Sequence, residues 1–284
     1  MHFFRHKVDR VPVALIVLLF VLDLLVYFRV QSTPALVGWA LLALLGKNFA
    51  AAWNHHHQHV PTFRQTALNR LLEIVYMFHT GISTNVWVLH HNLGHHLNYL
   101  DQEKDESGWK RKDGKTMGVY EYTATIALTG YPRAWRVGRK HPKFQQGLIG
   151  MGIVNLVLLA MLLAYNPLNA LIVFVVPMIL VYIGTCWCTY YHHADLDTDD
   201  PLHASHNVTN RLYNILTGNL GYHTAHHMKQ ALHWSKLPEL HRQIEHKIPA
   251  HLITEEYPAI APLYSKSSTS SASDNSTSPA GSEV

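Results

Sequence analysis

Residues 11–59 read VPVALIVLLFVLDLLVYFRVQSTPALVGWALLALLGKNFAAAWNHHHQH. Two apolar runs, 11–30 and 35–53, each approach the length of about 20 residues that a helix needs to cross a hydrocarbon core. Between them Ser32, Thr33 and Pro34 interrupt the apolar pattern, so the chain goes across and straight back. The second run ends directly in a cluster of histidines. Imidazole fills a core poorly and binds metal ions well, so ligating groups emerge where the chain leaves the bilayer.

The same design recurs downstream. GLIGMGIVNLVLLAMLLAY (147–165) and LNALIVFVVPMILVYIGTCWC (168–188) are two further spans, joined through Asn166 and Pro167. HKVDRVP precedes the first span and no small-residue cleavage site follows it, so that span reads as a retained anchor and not a removed signal peptide. Arg5, Lys7 and Arg10 lie ahead of the first span. The loop 60–146 and the chain beyond 188 hold nearly all the remaining Lys and Arg, and the two short connections offer only Arg29 at a span boundary. Positive-inside bias therefore predicts that both termini and the central loop are cytosolic. On that face the sequons NVT (207–209) and NST (275–277) are expected to be inert.

Of the 284 residues 23 are histidine, only 15% are charged and the net charge is +4, too small a surplus to point to nucleic acid. The two cysteines, Cys186 and Cys188, sit together in an apolar stretch and are expected to be packing residues. Two stretches of the central loop look interfacial: TALNRLLEIVYMFHTGI (66–82), with apolar residues at helical spacing opposite Arg70 and Glu73, and YEYTATIALTGYPRAWRVGRK (120–140), which ends in a basic cluster. The tail 265–284 is Ser-rich and lacks apolar anchors, so it is expected to be disordered.

The histidines fall into groups: WNHHHQH (53–59), HHNLGHH (90–96), YYHHAD (190–195) and GYHTAHH (221–227). By the topology above, all four lie near the same membrane face. At about 100° per helical residue, His55 and His59 share a side, as do His91 and His95, with His96 rotated about 100° further. His223, His226 and His227 fit one face about 100° wide. In the first group, His56 or His57 could replace His55. Three boxes plus one more histidine supply about nine nitrogens, whereas one zinc takes three or four ligands, so two ions are expected. Imidazole suits zinc, copper, iron and nickel alike, so ligand type does not choose among them.

His55-x3-His59, His91-x3-His95-His96 and His223-x2-His226-His227, interleaved with two membrane hairpins, resemble the integral-membrane fatty acid desaturase family over residues 11 to about 245. HWSKLPELH (233–241) is similar to the W-x-x-LP tail common in that family. The resemblance implies an all-α membrane protein with four transmembrane helices and a cytosolic cap, a single domain over 1–264. It implies that His55, His59, His91, His95, His96, His193, His223, His226 and His227 hold two iron ions that activate O2. Here His193 is taken as the added ligand, with His192 as the alternative. The second box is one residue longer than the HxxHH of many acyl-CoA desaturases and resembles the HxxGHH of membrane alkane hydroxylases, which generally have more spans.

The activity implied is oxidation of a fatty acyl chain, with desaturation ahead of acyl-chain or alkane hydroxylation and of decarboxylation to a terminal alkene. The acyl carrier (free acid, acyl-CoA, acyl carrier protein or phospholipid) is left open. No cytochrome b5 module and no flavin or nicotinamide fingerprint is visible, so electrons are expected from a separate protein such as ferredoxin or cytochrome b5 with its reductase. Asn54, Asn92, Asp105, Asp195 and Asn219 are candidates for orienting the imidazoles. Lys110, Arg111, Lys112, Arg133, Arg136, Arg139, Lys140 and Lys143 read as positive-inside bias and attraction to anionic lipid, with a phosphate-bearing substrate head as the alternative. A metal-binding membrane protein or transporter is the rival outside enzymology. It would need polar residues lining a route through the bilayer, and the spans supply few, chiefly Asp23 and Lys47, which stay unassigned.

Overall fold

The computed structural model describes residues 3–257; the Ser-rich tail and its NST sequon lie outside the described residues. Four helices are long and apolar enough to cross a membrane. They are α1 (Arg10–Arg29), α2 (Thr33–His59), α5 (Pro142–Tyr165) and α6 (Pro167–His193). Between the two hairpins lie α3 (Thr66–Thr80) and α4 (Val119–Gly138). Among the described residues the protein is all-α apart from one parallel pairing of Asn207–Val208 with Ile253–Thr254 and the isolated bridges Phe4–Phe63 and Lys110–Thr116. Pro34, Pro142 and Pro167 each occupy the first turn of a helix, where the missing N–H has no intrahelical role.

Both α2 and α6 outrun the apolar stretches that announce them. Each has 27 residues, about 40 Å at 1.5 Å per residue, against about 30 Å of hydrocarbon. Nothing in WNHHHQH or TYYHH breaks a helix, so both rods continue past the bilayer and carry His55, His59 and His193 with them. Leu18, Leu25, Leu41, Leu45, Ile153, Met161 and Ile179 point outward, the arrangement lipid requires.

The first interfacial stretch departs from expectation. α3 does not lie on the surface but inserts among the spans, burying Leu72, Tyr76, Met77 and Phe78. Phe78 meets Phe20 of α1 and Phe174 of α6, with ring centres 5.8 and 5.5 Å apart. The helix stops at Gly81, whose φ of 69° suits glycine and where a Cβ would meet the Met178 carbonyl at 2.9 Å. α4 does keep a basic outer face, and it lays Tyr122, Ile126 and Ala134 against α6 and its neighbours. Cys186 packs inside as expected, whereas Cys188 is exposed.

Polar seams join the hairpins inside this apolar frame. At the connection end, Asn169 Nδ2 donates to the carbonyls of Tyr27 and Val30, and Tyr27 Oη donates to Leu162 O at 2.6 Å. Deeper in, Asp23 and Lys47 form a fully buried ion pair at 2.9 Å. Trp39 Nε1 donates to the same carboxylate at 2.9 Å. Lys47 Nζ also reaches Val173 O at 2.9 Å, inside a π-helical turn, Leu171–Val175, that interrupts the regular ladder of α6. Lys47 therefore does not snorkel to the surface. It bridges α1, α2 and α6.

Removing one partner leaves an uncompensated charge in a dry interior, whereas removing both does not. Lys47→Met should destabilise the protein by about 3–5 kcal/mol, and the Asp23→Leu/Lys47→Met pair should recover most of that loss. Thermal unfolding in one detergent checks both.

Candidate metal centre

The four histidine groups arrive from separate elements. α2 presents His55 and His59 on successive turns of its last stretch. His91 lies in a π-helical turn, Val88–Leu93, and both His95 N and His96 N donate to the His91 carbonyl, at 3.0 and 2.8 Å. His193 ends α6, and the short helix His223–Met228 carries the third box.

These side chains converge into two adjacent groups. Nitrogens of His55, His59, His91, His96 and His226 lie within 4.8 Å of one another, and so, separately, do those of His95, His193 and His227. His223 adjoins the second group, its Nε2 standing 3.1 Å from His193 Nε2. The groups touch through His96 and His227, whose rings stack with centres 4.1 Å apart. All nine histidines singled out from the sequence thus meet at one place. His56 and His57 turn elsewhere: His56 Nε2 bonds Thr217 O at 2.9 Å, and His57 bridges Thr62 and Glu73. His192 stacks on His223 at 3.9 Å instead of joining a group.

The second box corrects the helical-wheel argument. His91 and His95 fall in different groups, and the pair that shares one is His91 and His96, with Nε2 atoms 3.0 Å apart. A π turn pairs residues i and i+5. The extra residue in this box is absorbed as that wider turn.

The donor set fits metal. Nε2 atoms stand 3.0 Å apart for His55 and His59, 2.9 Å for His55 and His91, and 3.2 Å for His95 and His193. Two nitrogens bound to one ion at about 2.1 Å and at right angles lie about 3.0 Å apart. Five imidazoles in one group exceed the four of a tetrahedral zinc site, which favours an ion of higher coordination number. His226 Nε2 and both nitrogens of His227 are buried without a partner in the protein. A cation in each group would satisfy the one lone pair that each neutral ring offers.

Supporting contacts aim the rings. Asp105 accepts from His95 Nδ1 at 2.8 Å, and Ala204 O accepts from His193 Nδ1 at 2.8 Å, so each ring turns Nε2 towards the second group. Trp87 lies nearly parallel to His55 at 5.3 Å, and Tyr99 covers His227 at 4.3 Å. Burial, reinforced by neighbouring imidazoles, holds His91, His96, His223, His226 and His227 well below the ordinary imidazole range, so they are neutral and competent to ligate.

Compared with known protein families, the chain matches the one described as Fatty acid desaturase over residues 31–258. The chain belongs to the fatty acid desaturase family. No curated protein sequence matches it. Membership makes this an integral membrane oxidoreductase of the desaturase and hydroxylase type, and the two imidazole groups suit the di-iron sites for which the family is known. The family's tail motif acts as a clasp here: Trp234 Nε1 and His233 Nε2 both bond Asp9, at 2.7 and 3.1 Å, tying the cap to the start of α1.

Of the five polar residues considered for orienting the imidazoles, only Asp105 touches one of the nine. Asn54 bonds Thr80 and Gln58, Asn92 bonds Gln58 O, Asp195 accepts from Thr116, and Asn219 bonds Trp234 O. Asn207 was legible only as a sequon. It is fully buried, and its Oδ1 accepts from Thr224 N at 3.0 Å, fixing the helix that bears the third box. Nothing in the local sequence marks that role.

Asp105→Asn should weaken metal retention about 10–100-fold while leaving the fold intact, measured by competitive chelation and circular dichroism. Because folding depresses these imidazole pKa values, the unfolded chain takes up protons first as pH falls through about 6.5. Stability is therefore full above that pH and is lost below it. The metal-free protein should melt at a lower temperature at about pH 5.5 than at about pH 7.5, with a drop too steep for one proton.

Proposed function

We propose that this family member is an O2-dependent di-iron enzyme that introduces a double bond into a fatty acyl chain. His55, His59, His91, His96 and His226 would hold one iron, and His95, His193, His223 and His227 the other. Bound there, the irons supply the redox chemistry that O2 activation requires. The reaction balances as one O2, two electrons and two protons from outside, and two hydrogens from adjacent methylenes, giving one alkene and two waters.

The observation that carries this reading is an apolar cavity abutting the histidine cluster. α4 and α6 wall it, with Ile82, Val86, Ile126, Gly130 and Tyr182 along its length and Trp87, His90 and His91 at one end. Gly130 keeps it open, since a Cβ there would lie 2.6 Å from Tyr182 Oη. Thr185 and Thr189 face the cavity with their hydroxyls bonded back to Val181 O and Thr185 O, so neither offers it a free donor. A saturated chain entering from the bilayer would meet a dry slot that ends against the imidazoles.

The distribution of Lys and Arg supports a cytosolic position for both termini and for the histidine cluster. Asp9 and His233 meet on the face where α2 and α6 deliver their histidines, consistent with two complete hairpins. Electrons would come from a separate ferredoxin or cytochrome b5 system. Of the basic residues weighed as a phosphate site, Arg111 pairs with Glu121, Lys110 with Asp197 and Arg136 with Glu106, whereas Lys112, Arg139, Lys140 and Lys143 are exposed and in no ion pair among the described residues.

Expression in a host with few lipid species, followed by mass spectrometry of acyl chains and volatile hydrocarbons, tests the reading. A new monoene that is absent with His226→Ala is the expected result, with about two irons per chain in the parent and fewer in the variant. A hydroxy acid or terminal alkene would replace desaturation with that chemistry, and zinc without O2 consumption would remove the enzyme reading.

A further inference from the structure

The cavity is not apolar throughout. At its end nearest the imidazoles, two polar atoms are buried and bond nothing in the protein: Nε1 of Trp87 and Nε2 of His90. His90 is only 9% exposed and is not one of the nine clustered histidines. The two residues are three apart, about one helical turn, and line the same space. Buried polar groups in folded proteins nearly always have partners, so a pair without any, sharing one cavity, points to a ligand.

Their position is specific. Trp87 lies nearly parallel to His55 with ring centres 5.3 Å apart and meets His91 edge-on at 5.9 Å. His90 directly precedes His91. Whatever bonds this pair sits beside the five-histidine group.

We propose that Trp87 and His90 form a subsite for the carboxyl group of a free fatty acid whose chain fills the apolar remainder of the cavity. An indole N–H only donates, whereas a neutral imidazole nitrogen donates or accepts according to its tautomer. A carboxyl group answers either case. One oxygen accepts from Trp87. The other accepts from His90 as a carboxylate, or as an acid donates its proton to His90. An ester or thioester has no proton to give and carries a substituent where the second oxygen would sit. An alkane leaves both atoms bare.

This inference rests on the acyl-chain reading above and narrows it. With the carboxyl beside the five-histidine group, the nearest methylenes are those next to the carboxyl carbon. Loss of one hydrogen from each, with the balance already given, yields a 2-enoic acid in place of a mid-chain olefin.

The test titrates iron-loaded protein in detergent with radiolabelled laurate and, separately, radiolabelled dodecane, and then displaces each with fatty acids from octanoate to stearate, dodecanol and methyl laurate. Acids should displace laurate at concentrations at least tenfold lower than dodecanol or methyl laurate. At equal iron occupancy, Trp87→Phe and His90→Leu should each weaken laurate about tenfold while dodecane binding stays unchanged. Dodecane, dodecanol or methyl laurate binding as tightly as the acids overturns the carboxyl subsite and leaves the acyl-chain reading standing. So does an equal loss of laurate and dodecane in the variants, which would mark packing alone. Failure of every probe to bind saturably overturns the acyl-chain reading itself. Product analysis is a second check: unsaturation next to the carboxyl supports the subsite, and a mid-chain double bond removes it.

Discussion

The structure depends on one electrostatic constraint: imidazole nitrogens from four remote stretches must face one another at about hydrogen-bond distance in a dry interior. Lone pairs so arranged repel unless a cation lies among them, and burial keeps protons from relieving the strain. Two helices that overrun the bilayer, a π turn and a six-residue helix each deliver a share. The apolar frame below is the means of holding these four carriers in register.

The bilayer makes that frame possible and also limits it. Hydrocarbon offers no hydrogen bonds, so every polar group inside must find a partner in the protein. Asp23, Lys47, Trp39 and the Val173 carbonyl satisfy one another and thereby lock α1, α2 and α6 together. The buried charges that would suggest a transport route in an open pore are here spent on each other, which weakens the rival reading of a metal carrier.

Much of this was legible in the chain. Apolar runs with Pro-bearing connections mark both hairpins, because length and hydropathy alone decide what crosses a bilayer. The nine clustered histidines were also legible, since groups emerging on one face have few other places to meet. What escaped detection depends on long-range contacts. α3 looked amphipathic and surface-bound, yet Glu73 and His79 are buried, the first meeting His57 and the second bonding Ile16 O. The π turn at Val88–Leu93 follows from one extra residue between fixed ends, which a regular wheel cannot represent. Trp87 and His90 became conspicuous only once their missing partners could be seen.

Two pairs of sequence neighbours, His95 with His96 and His226 with His227, are divided between the groups. Backbone ordered around one ion is therefore already ordered for the other. Uptake of the first lowers the entropic cost of the second, so intermediates holding a single ion should be scarce and the apoprotein should fill in a nearly all-or-none manner.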